Sequence, residues 1–157
     1  MNDALSAAAL DITPWAGATP DETLALGATE YSVAQAKEIV RTFAEVTTTC
    51  DTERFVSGFT PDCIVSFNEH ANLVGHDALR RFMGPRFAHF GRPGTSYVCR
   101  KVLRSLTGNI FGVIWISDWR EPDTGQQMRS KGVEFWVMDA GRIARWDAGF
   151  AAWPITA

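Results

Sequence analysis

The stretch KGVEFWVMDAGRIARWDAGF, residues 131–150, constrains the fold more than any other part of this chain. Two strand-like runs flank a short turn, Asp139-Ala140-Gly141. Side chains alternate along a strand, so Val133, Phe135 and Val137 point one way and Glu134, Trp136 and Met138 the other. Both sides are large and mostly apolar, and a strand of that kind has to be covered on both faces. A carboxylate, Glu134, sits among the large side chains of one of them. A three-residue loop ending in Gly141 suits a turn with a glycine bulge. That register sets Trp136 opposite Ala144 and Glu134 opposite Trp146. It gathers Glu134, Trp136, Met138, Trp146, Ala148 and Phe150 on one face, and Val133, Phe135, Val137, Arg145 and Asp147 on the other. The face with the carboxylate is expected to line a cavity, and the other to form a dimer surface. A two-residue turn would invert the pairing.

The segments before this hairpin supply its cover. Ser32 with Gln35 forms a capping-box pattern, and Ala36, Ile39, Val40 and Phe43 follow at helical spacing. The helix is expected to fade through Thr47-Thr48-Thr49, which are β-branched. Asp51 or Thr52 caps a second, shorter helix through Phe55, Val56 and Phe59. Residues 63–67 and 71–74 read as short strands. A third helix opens at Gly75-His76-Asp77 with Asp77 as its cap. Leu79, Phe82 and Met83 are its buried stripe, and Gly84-Pro85 is expected to kink or break it. Residues 95–106, 110–120, 127–138 and 142–150 read as strands. Short, turn-rich links make them antiparallel neighbours. Helices followed by a strand meander predict an α+β domain with the helices on one face of one sheet. Residues 1–30, rich in Ala, Thr, Pro and Gly, read as an N-terminal arm, and residues 31–157 as the domain.

With 157 residues, 46% of them hydrophobic and 21% charged, the chain suits one domain with its own core. A formal charge of −3 carries no basic patch and points away from nucleic acid. Neither a membrane-spanning run nor a signal-peptide pattern is present, so a cytoplasmic protein is expected. Cys50, Cys63 and Cys99 are too widely spaced for a disulfide framework or a thiolate metal site, which fits a reducing compartment. The histidines lack metal-ligand spacing with a carboxylate, so no metal is expected. The unusual feature is six Trp and ten Phe, enough to furnish a core, an interface or a ligand cavity.

The stretches FTPDCIVSFNEHANLVGHDALRRF and WREPDTGQQMRSKGVEFWVMDAGRIARWDAGF resemble the SnoaL-like group of the nuclear-transport-factor-2-like superfamily. That superfamily includes ketosteroid isomerases and limonene epoxide hydrolases, and the group includes polyketide cyclases. The resemblance spans roughly residues 32–153. It implies a cone: a curved, mixed or antiparallel sheet wrapped around about three N-terminal helices, open at one end, with a convex face that often supports a homodimer. Residue by residue, the resemblance puts Phe43 in the place of the isomerases' oxyanion-hole tyrosine and Phe67 in the place of their base aspartate. Glu134 falls where they carry a second, protonated acid. Against the epoxide hydrolases, Trp115, Ser117 and Ala148 occupy the catalytic Arg and Asp positions. Against the cyclases' His-Trp-Asp, this chain has Arg145-Trp146-Asp147. All three family sets are therefore incomplete.

Glu134 is the strongest catalytic candidate. A carboxyl in an apolar pocket has its pKa raised by desolvation, which suits proton transfer near neutral pH. The alternative role is a structural carboxylate satisfied inside the core. His70, next to Glu69 after the first strand, is the second candidate, against a solvated loop residue. His76 and His89 read as helix-end residues. Asp147 is expected to pair with Arg145, Arg142 or Arg120 on the outer face rather than to act in the pocket. Phe43, Phe55, Phe67, Trp115, Ser117, Trp136, Met138 and Trp146 are the expected ligand-pocket residues, each with plain core packing as its alternative. The expectation is a small, cofactor-free enzyme. It would do acid/base chemistry of the isomerase, cyclase or hydratase/lyase type on a small hydrophobic cyclic substrate. A non-catalytic binding protein is the alternative, and a protein–protein adaptor a third.

Overall fold

The computed structural model describes residues 31–68, 72–90, 96–104 and 109–155. The expected arm, Glu69 and His70 lie outside them. Helix α1 is Val33–Thr49. The Ser32 hydroxyl accepts from the Gln35 backbone N–H at 3.2 Å, and the Gln35 side chain accepts from the Ser32 N–H at 2.9 Å, completing the expected box. Ser32→Ala is expected to cost about 0.5–2 kcal/mol. Thermal denaturation measures this, and an unchanged melting curve would show that the box adds nothing.

The helix does not fade at the threonines. It runs to Thr49 because burial of Val46 packs its last turns on the core, while the hydroxyls of Thr47, Thr48 and Thr49 donate back to the carbonyls of Phe43, Ala44 and Val46. It stops at Cys50, which is left-handed at φ 54°. Asp51 then caps α2, Thr52–Ser57. Phe59, expected in that helix, instead opens strand β1, Phe59–Phe67, four residues earlier than the predicted start at Cys63. Strand β2 is Leu73–Val74. Helix α3, Gly75–Phe90, passes through Gly84-Pro85 without ending, and Asp77 sits in its first turn rather than at its cap. Met83 and Phe87 are buried on its inner side. That burial carries the helix across a proline whose missing N–H would otherwise end it.

The remaining strands are β3, Ser96–Arg104, β4, Ile110–Arg120, β5, Gln127–Asp139, and β6, Arg142–Pro154. The six strands of the described residues form one sheet in the order β2-β1-β6-β5-β4-β3. β1 pairs parallel with β6 and every other pairing is antiparallel. The sheet is therefore mixed, and it does not close.

The defining hairpin differs from expectation in an instructive way. Its turn has two residues, Ala140 and Gly141, both at positive φ (44° and 84°), as a two-residue hairpin requires. Asp139 pairs with Arg142 and Met138 with Ile143. A turn of that length would swap the faces of the pairing. Ala144 undoes the swap: it is left over as a bulge, so that Val137 pairs with Arg145. Trp136 then lies opposite Trp146 and Glu134 opposite Ala148, two residues from the expected partners. The expected face survives, because one inversion cancels the other. Tyr31 locks the turn by accepting from the Gly141 N–H at 2.8 Å and packing edge-on to Phe111.

Candidate functional site

A cavity of about 190 Å³ opens between the helices and the inner face of the sheet. Phe43 and Thr47 of α1, Cys50 and Phe55 form one wall. Met83, Arg86 and Phe87, one face of α3 at helical spacing, form another. The sheet contributes Phe67 from β1, Trp115, Ser117 and Trp119 from β4, Ser130 and Glu134 from β5, and Trp146, Phe150 and Ala152 from β6. The rings are in mutual contact. Phe55 lies 5.8 Å from Trp146, Phe67 5.5 Å from Trp146 and 5.2 Å from Phe150, and Trp115 5.9 Å from Phe150, centroid to centroid. A cavity of about 150 Å³ lined by apolar side chains holds benzene. This one suits one or two fused rings.

Glu134 is 1% exposed. Its carboxylate Oε2 accepts from the indole N–H of Trp136 at 2.8 Å. On the same face of β5, Ser130 lies four residues away, about 13 Å along the strand, directly opposite Ser117. The cavity therefore has a carboxyl towards one end of β5 and a pair of hydroxyl-bearing residues towards the other. Gly132 lies between them, opposite Trp115. A Cβ there would sit 2.4 Å from Trp115 Cζ2, so the absence of a side chain is what lets the indole lie across the sheet.

Of the expected pocket residues, Phe43, Phe55, Phe67, Trp115, Ser117 and Trp146 line this cavity together with Glu134. Trp136 and Met138 do not. Both are fully buried nearer the hairpin turn, where Trp136 packs 4.5 Å from Phe43 and the Met138 N–H bonds the Asn109 carbonyl. Trp136 thus backs the carboxyl rather than facing a ligand. Asp147 lies on the other face, held bidentate by Arg145 at 2.7 and 2.8 Å. This contact raises the Arg145 guanidinium above its ordinary value. Where β1 ends, Asn68 anchors the chain beside the cavity. Its N–H bonds the Ala148 carbonyl and its side chain accepts from the Phe150 N–H. Arg86, Ser130, Thr47, Cys50 and Trp119 carried no pocket expectation. Ser130 was legible as the residue four before Glu134 on one strand face, and Arg86 as the neighbour of Met83 and Phe87 on one helix face. Among the described residues no His, Cys, Asp and Glu side chains cluster in metal-binding numbers.

The model of the SnoaL-like domain matches residues 40–146. The chain belongs to the SnoaL-like family. This SnoaL-like chain also shares its fold with solved structures of low sequence identity. A Jannaschia sp. CCS1 protein provisionally described as a SnoaL-like polyketide cyclase superposes with a TM-score of 0.64 at 19% identity, over 78% of this chain and 90% of that one. SalBIII, the epoxide hydrolase/cyclase-like enzyme of pyran ring formation in polyether salinomycin, gives 0.65 at 13% identity, over 75% and 92%. A Mycobacterium tuberculosis protein solved with estradiol-17beta-hemisuccinate gives 0.61 at 15%, over 73% and 92%. The architecture is the nuclear-transport-factor-2-like cone. No curated protein sequence matches the chain significantly.

Proposed function

We propose that this SnoaL-like protein is a cofactor-independent enzyme that moves a proton on a small hydrophobic cyclic substrate, with Glu134 as the proton-transfer group. The observation that carries this is a buried carboxyl on the wall of a cavity otherwise lined mainly by aromatic rings. A carboxyl so placed is desolvated, and in such a site it exchanges a proton with an enolisable carbon or an alcohol far more readily than in water. The rings would hold a flat substrate by stacking and exclude water. His70, in the residues between β1 and β2, is the proposed second proton carrier. It follows Asn68, whose bonds fix that end of β1 against the cavity residue Phe150. Relatives whose descriptions name cyclase chemistry support the general class. The test is solvent-deuterium exchange into enolisable mono- and bicyclic ketones, compared between the wild-type protein and Glu134→Gln.

One observation favours the second reading, a binding protein without turnover. Trp136 is fully buried and its indole N–H needs an acceptor, which Glu134 supplies. A carboxylate kept for that purpose would be structural. The exchange experiment separates the two, because a binder holds the ketone without exchanging its protons.

We further propose a homodimer through the outer sheet face, in a reducing cytoplasm that keeps Cys50 and Cys63 as the free thiols they are here. On that face Phe135 and Val133 are 56% and 44% exposed. The Asp118–Arg129 and Arg145–Asp147 ion pairs flank them. An apolar centre with a charged rim is the layout of a subunit contact. Val137, at the turn end of the same stripe, is already buried within the chain. Phe135→Glu is expected to turn a dimer into a monomer in analytical ultracentrifugation at micromolar concentration. A monomeric wild-type protein would remove this proposal.

A further inference from the structure

The cavity carries a second ionisable side chain besides Glu134 whose chemistry the acid/base reading does not use. Among the described residues that line it, Arg86 is the single cation. Its guanidinium lies 3.5 Å above the centroid of the Phe82 ring and 5.8 Å from that of Phe67. Phe82 in turn packs 5.4 Å from Phe67, whose ring touches Trp146 and Phe150. The charge is therefore laid along the aromatic wall rather than extended into solvent. Its Nη1 donates to the Phe82 carbonyl at 3.2 Å, the carbonyl one turn back on its own helix. Stacking on a ring and a backbone bond together fix the plane of the guanidinium, which is the costly part of presenting a planar fork to a ligand.

We infer that Arg86 is a specificity residue and that the cavity takes a one- or two-ring aromatic or alicyclic ligand bearing an anionic oxygen group, a carboxylate or an enolate, which Arg86 pairs. This rests on the reading of the cavity as a small-ligand site. Glu134 alone would favour neutral ligands, since a second negative charge near a buried carboxyl is repelled. Arg86 reverses that preference at its own end of the ligand and orients it, with the anion on α3 and the rest of the ring system free to reach β5. Burial lowers the Arg86 guanidinium from its ordinary value, as expected of a cation held partly out of water against the aromatic wall. The size limit comes from the volume of about 190 Å³.

Binding of 2-naphthoate and of its neutral near-isostere 2-acetylnaphthalene tests this through quenching of the fluorescence of Trp115, Trp119 and Trp146, all on the cavity wall. The wild-type protein is expected to bind the naphthoate more tightly, with an affinity that falls as salt rises. Arg86→Gln should weaken naphthoate binding about ten- to hundred-fold, the usual loss for a bond to a charged group, and leave 2-acetylnaphthalene within about three-fold. Arg86→Lys, which keeps the charge and loses the fork, should fall between. Wild-type preference for the neutral probe overturns the assignment without any variant, as does an Arg86→Gln protein that binds both probes as before. Failure of the folded wild-type protein to bind either probe overturns the small-ligand reading of the cavity itself.

Discussion

Glu134→Gln is expected to lower proton exchange into a bound enolisable ketone by about 10²–10⁴-fold, the range a positioned acid or base supplies. The substitution is close to isosteric, and its amide oxygen can still accept from the Trp136 indole N–H that now bonds Oε2 at 2.8 Å. The fold and the affinity for the ketone should therefore hold, within about three-fold in Kd by the same fluorescence titration. That split separates chemistry from packing. A structural carboxylate would show the reverse, with exchange already absent in the wild-type protein and stability falling in the variant. Among the described residues that line the cavity Glu134 is the only carboxylate, so none of them stands ready to replace it.

Gly132→Ala should destabilise the protein by about 1–3 kcal/mol, the usual cost of overpacking a filled site. For a chain of this size that lowers the melting temperature by about 2–12 °C. The added Cβ would meet Trp115 Cζ2 at 2.4 Å and Cε2 at 2.5 Å, with the Gly149 carbonyl 2.9 Å away on the next strand. Trp115 cannot keep its place, and the strand has no room to move toward β6. The displaced indole also abandons its packing against Phe150, so ligand binding should weaken along with stability. Thermal denaturation with a parallel titration measures both. An unchanged melting temperature would mean that Trp115 adopts another position at little cost and that Gly132 does not shape the cavity.

Much of this architecture was legible in the sequence because its signals are local. The Ser32–Gln35 box, the alternation along β5 and the turn chemistry between strands each need only a few residues to be read. The cavity face of the hairpin was legible too, but through two compensating features. The turn at Ala140-Gly141 is one residue shorter than expected, and the bulge at Ala144 restores the parity. No local pattern marks an alanine as a bulge, since what selects it there is the burial of Ile143 and Trp146 on the same side. The continuity of α3 through Pro85 was hidden for a similar reason, because packing of Met83 and Phe87 outweighs a local rule. In the site, Glu134 stood out because a charge in an apolar run is conspicuous. Arg86 did not, since one of three arginines on an amphipathic helix is ordinary until α3 is placed over the sheet. Trp136 and Met138 share a strand face with Glu134, which the alternation shows. How far along the strand the cavity extends depends on where α1 covers it, and the alternation carries no information on that.

The most direct measurement is a crystal structure of the protein with a bicyclic ketone from the exchange panel. The ring system is expected between the Trp115 and Phe150 side and the α3 wall. The carbonyl or its α-carbon should lie within hydrogen-bond reach of the Glu134 carboxyl, about 2.6–3.2 Å for a bonded oxygen. A ketone ordered in the cavity with no atom of its reactive end near Glu134, or ordered only on the outer face, would contradict it.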